Sequence, residues 1–309
     1  MAFQCGPQLY NQDKTPIFSR KKSGMRRLLI GLLLLVSTMA AFAQNGVKGR
    51  VVEADGTPVM YAAVMLDAGK KTGASSGWAI KKNSMEIKHH FIEQGAGFPL
   101  ILMHGNGEDV SYFVHQMEPF AKHFRVIAID TRGHGQTPRG EAPFTIRQFA
   151  EDLLAFMDQQ GIGKAHILGF SDGGNTAMVF AMAHPERVEK LILNGANLDA
   201  SGVRPGTQLP IEIGYRIARL FARKHPDARK NAELLGLMVN DPRLKPEELA
   251  QIHCPTLVIA GEKDMIKEGH TRLIAQSIPG AELVIVPGNH FVANLNPDVY
   301  NEAVLRFLL

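Results

Sequence analysis

From residue 85 onward, short apolar runs alternate with amphipathic stretches, and this alternation constrains the fold of the 309-residue chain more than any other feature. Seven runs predict strands; they read MEIKHHFIEQG, PLILMHG, RVIAIDTRG, AHILGFS, KLILNGA, PTLVIAGEKD and AELVIVPGNH. The stretches between them predict helices, among them 146–159, 175–183 and 268–277. Such alternation is typical of a mostly parallel, doubly wound sheet covered on both faces. The sequence therefore predicts an α/β domain over residues 85–309.

The alternation breaks once, between about residues 197 and 249, where the pattern predicts a small helical cap insertion. One predicted helix of this insertion has apolar side chains on a single face, at i, i+4, i+7 and i+8 spacing; they are Ile213, Ile217, Leu220 and Phe221.

The basic character of the chain lies in its first 43 residues. The formal net charge is +4, but residues 1–43 have six basic side chains against one acidic, so the remaining 266 residues sum to about −1. The charge distribution therefore gives no indication of a nucleic-acid partner.

Residues 1–43 have the pattern of an export signal. Arg26 and Arg27 precede an apolar run over 28–36, and Ala41-Phe42-Ala43 precedes Gln44. A positive region, an apolar core and an A-x-A site are typical of a cleavable signal peptide. The alternative is a membrane anchor, but 28–43 spans sixteen residues, short of the roughly 20 that a membrane helix needs. We expect cleavage after Ala43, no stable membrane span afterwards, and a periplasmic or extracellular protein that starts at Met1 or Met25.

Residues 44–84 differ from both neighbours. Two short apolar runs flank the turn Asp55-Gly56-Thr57-Pro58, which indicates a β-hairpin. The segment resembles the start of a carboxypeptidase regulatory-like domain, but it is too short to close a sandwich with its own core. It is either a hairpin docked on the following domain or a linker. Only Cys254 follows the leader, so there is no internal disulfide and no metal-type cysteine spacing.

The segment Gly169-Phe170-Ser171-Asp172-Gly173-Gly174 is the first motif that carries chemistry. A G-x-S-x-G match alone is weak, but here it joins a predicted buried strand to a predicted helix. A serine on such a sharp turn sits in a strained backbone that exposes its hydroxyl above the sheet. Ser171 is therefore the candidate nucleophile; the alternative is a plain glycine-rich turn.

A serine nucleophile needs a base and a group that orients the base. His290 follows the last predicted strand. Five other histidines do not lie at a strand's carboxyl end near the Ser171 turn; they are His89, His90, His123, His166 and His184. Asp264 ends the preceding strand and is our candidate for the orienting carboxylate. Asp199 and Glu262 are the alternatives.

The turn His104-Gly105-Asn106-Gly107 follows the strand PLILM. A developing oxyanion needs preorganised N–H donors, and we expect the backbone N–H groups of Asn106 and Asp172 to supply them. His104 is expected to be a structural residue of this turn rather than a second base.

These motifs together resemble the α/β-hydrolase superfamily over residues 86–309, in its ester-hydrolase branch; they are HGNG, DTRGHGQT, GFSDGG, GEKD and GNH. Within that branch, GFSDGG and NGAN resemble valacyclovir hydrolase-like small esterases. The resemblance implies the α/β-hydrolase fold, and the chain order serine, aspartate, histidine is the one found in it. A serine nucleophile argues against epoxide hydrolases and haloalkane dehalogenases.

Acidic residues flank the predicted site. Asp172 follows the nucleophile, and Glu108 and Asp109 follow the oxyanion turn. These carboxylates predict an acidic pocket wall that favours substrates with an amine near the scissile carbonyl. The alternative is that Asp172 only complements the positive N-terminus of its helix.

The sequence thus predicts a serine hydrolase that cleaves small-molecule carboxylic esters through an acyl-enzyme, with no metal and no cofactor. Rival activities on the same fold are those of an amide or peptide hydrolase such as a proline iminopeptidase, a C–C bond hydrolase and a perhydrolase. Other rivals are a non-catalytic ligand-binding protein and an envelope-binding module built on the hairpin.

Overall fold

The computed structural model describes residues 87–309. The predicted leader (1–43) and the predicted hairpin or linker (44–84) lie outside the described residues. Within 87–309, no helix is both long and apolar enough to span a membrane.

A single seven-stranded sheet forms the centre of the described chain, in the order β1-β3-β2-β4-β5-β6-β7. The strands are β1 Phe91–Gln94, β2 Pro99–Met103, β3 Arg125–Ile129, β4 Ala165–Phe170, β5 Val188–Asn194, β6 Thr256–Lys263 and β7 Glu282–Asn289. Only β1 runs antiparallel to its neighbour β3, and the other adjacent pairs are parallel. All seven predicted strands are present, and the mostly parallel sheet is confirmed.

Helices connect the strands: α1 Met117–Ala121, α2 Ile146–Gln159, α3 Asp172–Ala183, α4 Pro205–Phe221, α5 Pro226–Asn240, α6 Glu268–Ser277, α7 Val292–Leu295 and α8 Pro297–Leu308. Short 3-10 turns lie at Val110–Phe113, Pro185–Arg187, Ala200–Gly202 and Pro246–Gln251. Helices α2 and α6 have the predicted bounds. Helix α3 begins three residues earlier than predicted, directly after Ser171.

Both faces of the sheet are covered, as the doubly wound prediction requires. Alternate residues of β2 point to opposite faces: Ile101 and Met103 lie in one apolar cluster, while Leu100 and Leu102 lie in the other. The first cluster also contains side chains of α2, α3 and α6, and the second contains side chains of α8. This packing holds the carboxyl ends of the parallel strands at one edge, where the candidate site residues follow.

Helices α4 and α5 lie between β5 and β6, in the region predicted as a cap insertion. Gln208 and Ile211 are the buried side chains of α4. Its predicted apolar face points instead to solvent, because Ile213, Ile217 and Leu220 are 46%, 51% and 78% exposed. The boundaries 197–249 of the insertion stay a prediction.

Candidate active site

Ser171 occupies a strained turn between β4 and α3. Its φ of 53° lies in the left-handed region, which is costly for a non-glycine residue. The turn is held by the Ser171 N–H, which donates to the Asn194 carbonyl at 2.8 Å, and by the Ser171 carbonyl, which accepts from the Asn175 N–H at 2.9 Å. The fold therefore maintains the serine in a conformation that local preference disfavours.

Two glycines of the motif make this turn sterically feasible. A Cβ at Gly169 would lie 2.2 Å from the Gly173 carbonyl oxygen, and a Cβ at Gly173 would lie 2.2 Å from the Met103 carbonyl oxygen. No side chain fits at either position without a backbone shift. The glycines let α3 start close against β4 and β2, which brings the serine turn beside the loop after β2.

His290 and Asp264 form a buried pair at the ends of β7 and β6. The Nδ1 atom of His290 lies 2.7 Å from Oδ1 of Asp264, and the same oxygen accepts the Ile266 N–H at 2.8 Å. Since the carboxylate accepts, Nδ1 of the neutral imidazole carries the proton and Nε2 has the free lone pair. The pair thus has the tautomer that a general base requires.

The hydrogen bond between Ser171 and His290 is not formed. Within residues 87–309, Nε2 of His290 is buried and has no hydrogen-bond partner. The imidazole nevertheless lies beside the nucleophile turn, since its ring centroid is 4.8 Å from that of Phe170. The structure thus pairs His290 with Asp264. The imidazole contacts Phe170, the residue directly before Ser171 in the chain. Serine–base hydrogen bonds are often long without substrate.

The other two candidates for the third member lie elsewhere. Asp199 caps the 3-10 turn after β5, where its carboxylate accepts the Ser201 N–H at 2.6 Å. Glu262 is exposed near the end of β6. Of the three carboxylates, Asp264 is the one paired with His290.

Gly195, which no sequence motif indicates as a site residue, lies against the His290–Asp264 pair. Its φ is 61°, and a Cβ there would lie 2.8 Å from Cε1 of His290 and 3.3 Å from Oδ2 of Asp264. A glycine at the end of a predicted strand is visible in the sequence, but nothing in the sequence indicates that it packs against an imidazole.

The turn after β2 presents the predicted oxyanion donors. In the described part of the chain, the backbone N–H groups of Asn106 and Asp172 donate to no protein acceptor. The turn is held by the Gly105 N–H, which donates to Oε2 of Glu108 at 3.1 Å. Two unused N–H groups near Ser171 are the arrangement that an oxyanion hole needs.

His104 has the structural role expected for it. Its Nε2 accepts the Thr131 N–H at 3.0 Å, so its Nδ1 carries the proton and donates to the Gly105 carbonyl at 2.7 Å. Burial lowers the pKa of His104 below its ordinary value. Both ring nitrogens are thus bonded to backbone, and neither is available as a base.

Asp172 is buried and bonded to two amides, an arrangement that neither sequence interpretation included. Oδ2 accepts from Nδ2 of Asn106 at 2.9 Å, and Oδ1 accepts from Nδ2 of Asn175 at 3.1 Å. Burial raises the pKa of Asp172 to about 6, although both amide hydrogen bonds act in the opposite direction. The Asp172 side chain therefore links the turn after β2 to α3.

The same network reaches the helices between β5 and β6. Nδ2 of Asn106 also donates to the Leu234 carbonyl of α5 at 2.8 Å. Nδ2 of Asn175 also donates to Oδ1 of Asn197 at 3.0 Å. Sequence reasoning missed Asn175, Asn197 and Leu234, because single polar residues distant along the chain carry no pattern that would pair them.

Glu108 and Asp109, predicted to line an acidic pocket, both have backbone partners. Glu108 accepts the Gly105 N–H, and Asp109 caps the turn Val110–Phe113 by accepting the Ser111 N–H at 2.8 Å. These contacts assign both carboxylates a structural role; contact with substrate stays a prediction. Within residues 87–309, no group of three or more His, Cys, Asp or Glu side chains is arranged to hold a metal ion.

Comparison with known proteins adds the family context. Residues 99–211 match the family model described as the alpha/beta hydrolase fold. A protein of Azorhizobium caulinodans, provisionally named carbamate hydrolase RutD, is 31% identical over an alignment of 246 residues; the match covers 69% of this chain and 92% of that protein.

Two solved structures are also similar. An enol-lactonase from Burkholderia xenovorans has a TM-score of 0.63 and 26% identity over 72% of this chain and 97% of its own. A meta-cleavage product hydrolase from Pseudomonas fluorescens has a TM-score of 0.59 and 25% identity over 72% of this chain and 94% of its own. The described domain thus has the α/β-hydrolase fold, and its relatives are hydrolases that differ in the bond they cleave.

Proposed function

Since the chain belongs to the α/β-hydrolase superfamily, we propose that it is a serine hydrolase that cleaves carboxylic esters of small molecules. The observation that carries the proposal is the buried His290–Asp264 pair, with Nδ1 bonded to the carboxylate at 2.7 Å and Nε2 unpartnered among residues 87–309. A base in this state beside a strained serine turn is suited to activate the serine hydroxyl.

Each step of the proposed reaction uses one group of the site. Oγ of Ser171 attacks the ester carbonyl carbon while Nε2 of His290 takes the hydroxyl proton. The carbonyl oxygen becomes an oxyanion, which accepts from the backbone N–H groups of Asn106 and Asp172. His290 then returns the proton to the departing alcohol, which leaves an acyl group on Ser171. Water, activated by His290 in the same way, releases the acid.

Asp264 orients the base and stabilises its charged form. Nδ1 of His290 keeps its proton on the carboxylate side, so the second proton arrives on Nε2 and the imidazolium lies directly against a negative charge. The N–H donors act on charge that exists only in the transition state, and removal of one such donor typically costs about 10²–10³ in kcat.

The names of two relatives indicate alternative substrates for this protein. The Azorhizobium protein is named for carbamate hydrolysis, and the Pseudomonas structure is named for cleavage of meta-cleavage products. The carbamate is the stronger rival, because its carbonyl reacts with the same nucleophile and oxyanion donors. Rates on matched p-nitrophenyl acetate, p-nitrophenyl N-methylcarbamate and a meta-cleavage product discriminate the three; we expect the highest kcat/KM for the ester.

Covalent labelling tests the nucleophile. The full chain and its Ser171→Ala variant are treated with a fluorophosphonate probe, and Ser201→Ala serves as the matched serine control. We expect one label in the wild type and in Ser201→Ala, none in Ser171→Ala, and ester hydrolysis in parallel. A folded wild-type protein that takes no label and hydrolyses no ester would favour the non-catalytic ligand-binding alternative.

We also propose that the chain is exported and cleaved after Ala43, on the strength of the Arg26-Arg27 pair, the apolar run and the A-x-A pattern. Mass spectrometry of the protein from fractionated cells tests this. The expected mature N-terminus is Gln44 in the periplasmic or extracellular fraction; an uncleaved chain in the cytosol contradicts it.

A further inference from the structure

Helix α4 carries an apolar face that no described residue covers. The face consists of side chains that follow one side of the helix and are 46–78% exposed; they are Leu209, Ile213, Ile217, Leu220 and Phe221. The buried side chains of α4, Gln208 and Ile211, lie on its opposite side. A contiguous apolar patch of this kind on a soluble domain marks an interaction surface.

A row of arginines borders the apolar face. Arg216, Arg219 and Arg223 are exposed, lie at i, i+3 and i+7 spacing, and have no ion-pair partner among residues 87–309. Arg216 and Arg219 are in α4, where a spacing of three residues places them on one side, and Arg223 lies in the turn that follows the helix, two residues after Phe221. The nearest acidic residue of the helix, Glu212, accepts from Nε2 of Gln208 at 3.4 Å.

The arginine row is a local feature and does not reflect the overall charge. Residues beyond the leader sum to about −1. Three arginines without an ion-pair partner among residues 87–309, next to five exposed apolar side chains, are therefore a local concentration of positive charge on this helix and the turn after it. An apolar face edged by basic side chains is the pattern of a helix that lies in the plane of an anionic membrane surface.

We propose that the outer face of α4 binds an anionic lipid bilayer, with the apolar side chains among the acyl chains and the arginines at the headgroups. A second copy of this chain fits the surface less well, because face-to-face pairing of two α4 helices would bring like-charged rows together. The proposal concerns a surface outside the catalytic pair, so it stands or fails independently of the proposed activity.

A polarity-sensitive fluorophore on the face itself gives the direct test. NBD is attached to Leu209→Cys in the full chain, with Cys5→Ser and Cys254→Ser to leave one thiol. The control places NBD at Val114→Cys, an apolar residue 65% exposed outside the cap helices. The apolar run of the leader is common to both proteins, so only the position of the fluorophore distinguishes them.

We expect vesicles with 30% phosphatidylglycerol to shift the Leu209 emission to shorter wavelength, and pure phosphatidylcholine vesicles to leave it unchanged. Val114 should not respond to either. Neutralising the row with Arg216→Gln, Arg219→Gln and Arg223→Gln should weaken the partition that Leu209 reports by about a hundredfold, at about fivefold per cation. The matched control, Lys88→Gln, Lys122→Gln and Arg306→Gln, removes the same charge elsewhere and should preserve it.

Four outcomes overturn the proposal. No response at Leu209 to anionic vesicles excludes a lipid partner. An equal response to both lipids excludes the proposed role of the arginines in binding anionic headgroups. A shift that grows with protein concentration without lipid indicates a second copy. A Leu209 shift on soluble polyglutamate without vesicles, together with no shift on anionic vesicles, indicates an acidic protein partner.

Discussion

A methyl group at Gly195 should disturb the proposed base more directly than any other small change. The Cβ of Gly195→Ala would lie 2.8 Å from Cε1 and 2.9 Å from Nδ1 of His290, whereas ordinary contact begins at 3.4 Å. The imidazole has to move by about 0.6 Å, since the packed interior leaves no other space. That movement also pulls on the hydrogen bond to Asp264.

The magnitude follows from the displacement. A misplacement of about 1 Å at a reacting group costs about 10²-fold in rate, so we expect Gly195→Ala to lower kcat by about 10- to 30-fold. The left-handed backbone adds a separate cost of about 1–2 kcal/mol to the free energy of unfolding. Gly161→Ala is the matched control, because Gly161 has a φ of 64° and no atom within 4 Å of an added Cβ.

The assay measures kcat for a p-nitrophenyl ester and the urea dependence of unfolding for both variants. Both should lose the stability that the left-handed backbone costs, Gly195→Ala should lose more because its Cβ overpacks the buried imidazole, and only Gly195→Ala should lose kcat. If Gly195→Ala retains kcat within twofold of Gly161→Ala, the contact with His290 does not matter for catalysis. A wild type without activity bears on the proposed function instead.

Three further substitutions test the site and its supports. Asp264→Asn should lower kcat by about 10⁴ with little change in KM, because an amide favours the wrong tautomer of His290; steady-state kinetics measure it, and a loss below tenfold contradicts the role. Burial raises the pKa of Asp172 from 3.8 to about 6, so the folded state binds this proton more tightly and wild-type stability should fall by about 3 kcal/mol as pH rises through roughly 4 to 6. Asp172→Asn should remove this decline in urea titrations, and identical pH profiles would refute it. Arg132→Met should reduce the free energy of unfolding by about 3–5 kcal/mol, because it leaves Asp152 buried without its guanidinium partner; the double variant with Asp152→Leu should recover much of the loss, and equal losses would show that the unpaired charge is not the cause.

The strands and helices and their order along the chain could be predicted from the sequence, because strands buried on both faces are continuous apolar runs. The serine turn was also predictable, since a G-x-S-x-G segment between a strand and a helix restricts the backbone. The start of α3 was placed three residues late because Gly173 and Gly174 have low helix propensity. Glycine is required at position 173 because a Cβ there would clash with the Met103 carbonyl oxygen. This contact joins two elements, and local helix propensity does not include it.

The polar network around Asp172 could not be predicted for a different reason. Asn106 is 66 residues from Asp172 and 128 residues from Leu234 along the chain. No periodicity links single residues at such distances, and an asparagine side chain accommodates many partners. The two interpretations of Asp172 from sequence treated its carboxylate as free, whereas the fold gives each oxygen an amide.

Asn106 connects the candidate site to the helices between β5 and β6. Its backbone N–H is a proposed oxyanion donor, while its side chain is bonded to Asp172 on the nucleophile helix and to the Leu234 carbonyl on α5. A shift of α5 therefore acts on Asn106, the residue whose backbone N–H is the proposed donor. A change in α5 that breaks the bond to Leu234 should therefore affect the placement of the proposed donor even where Ser171, Asp264 and His290 are unchanged.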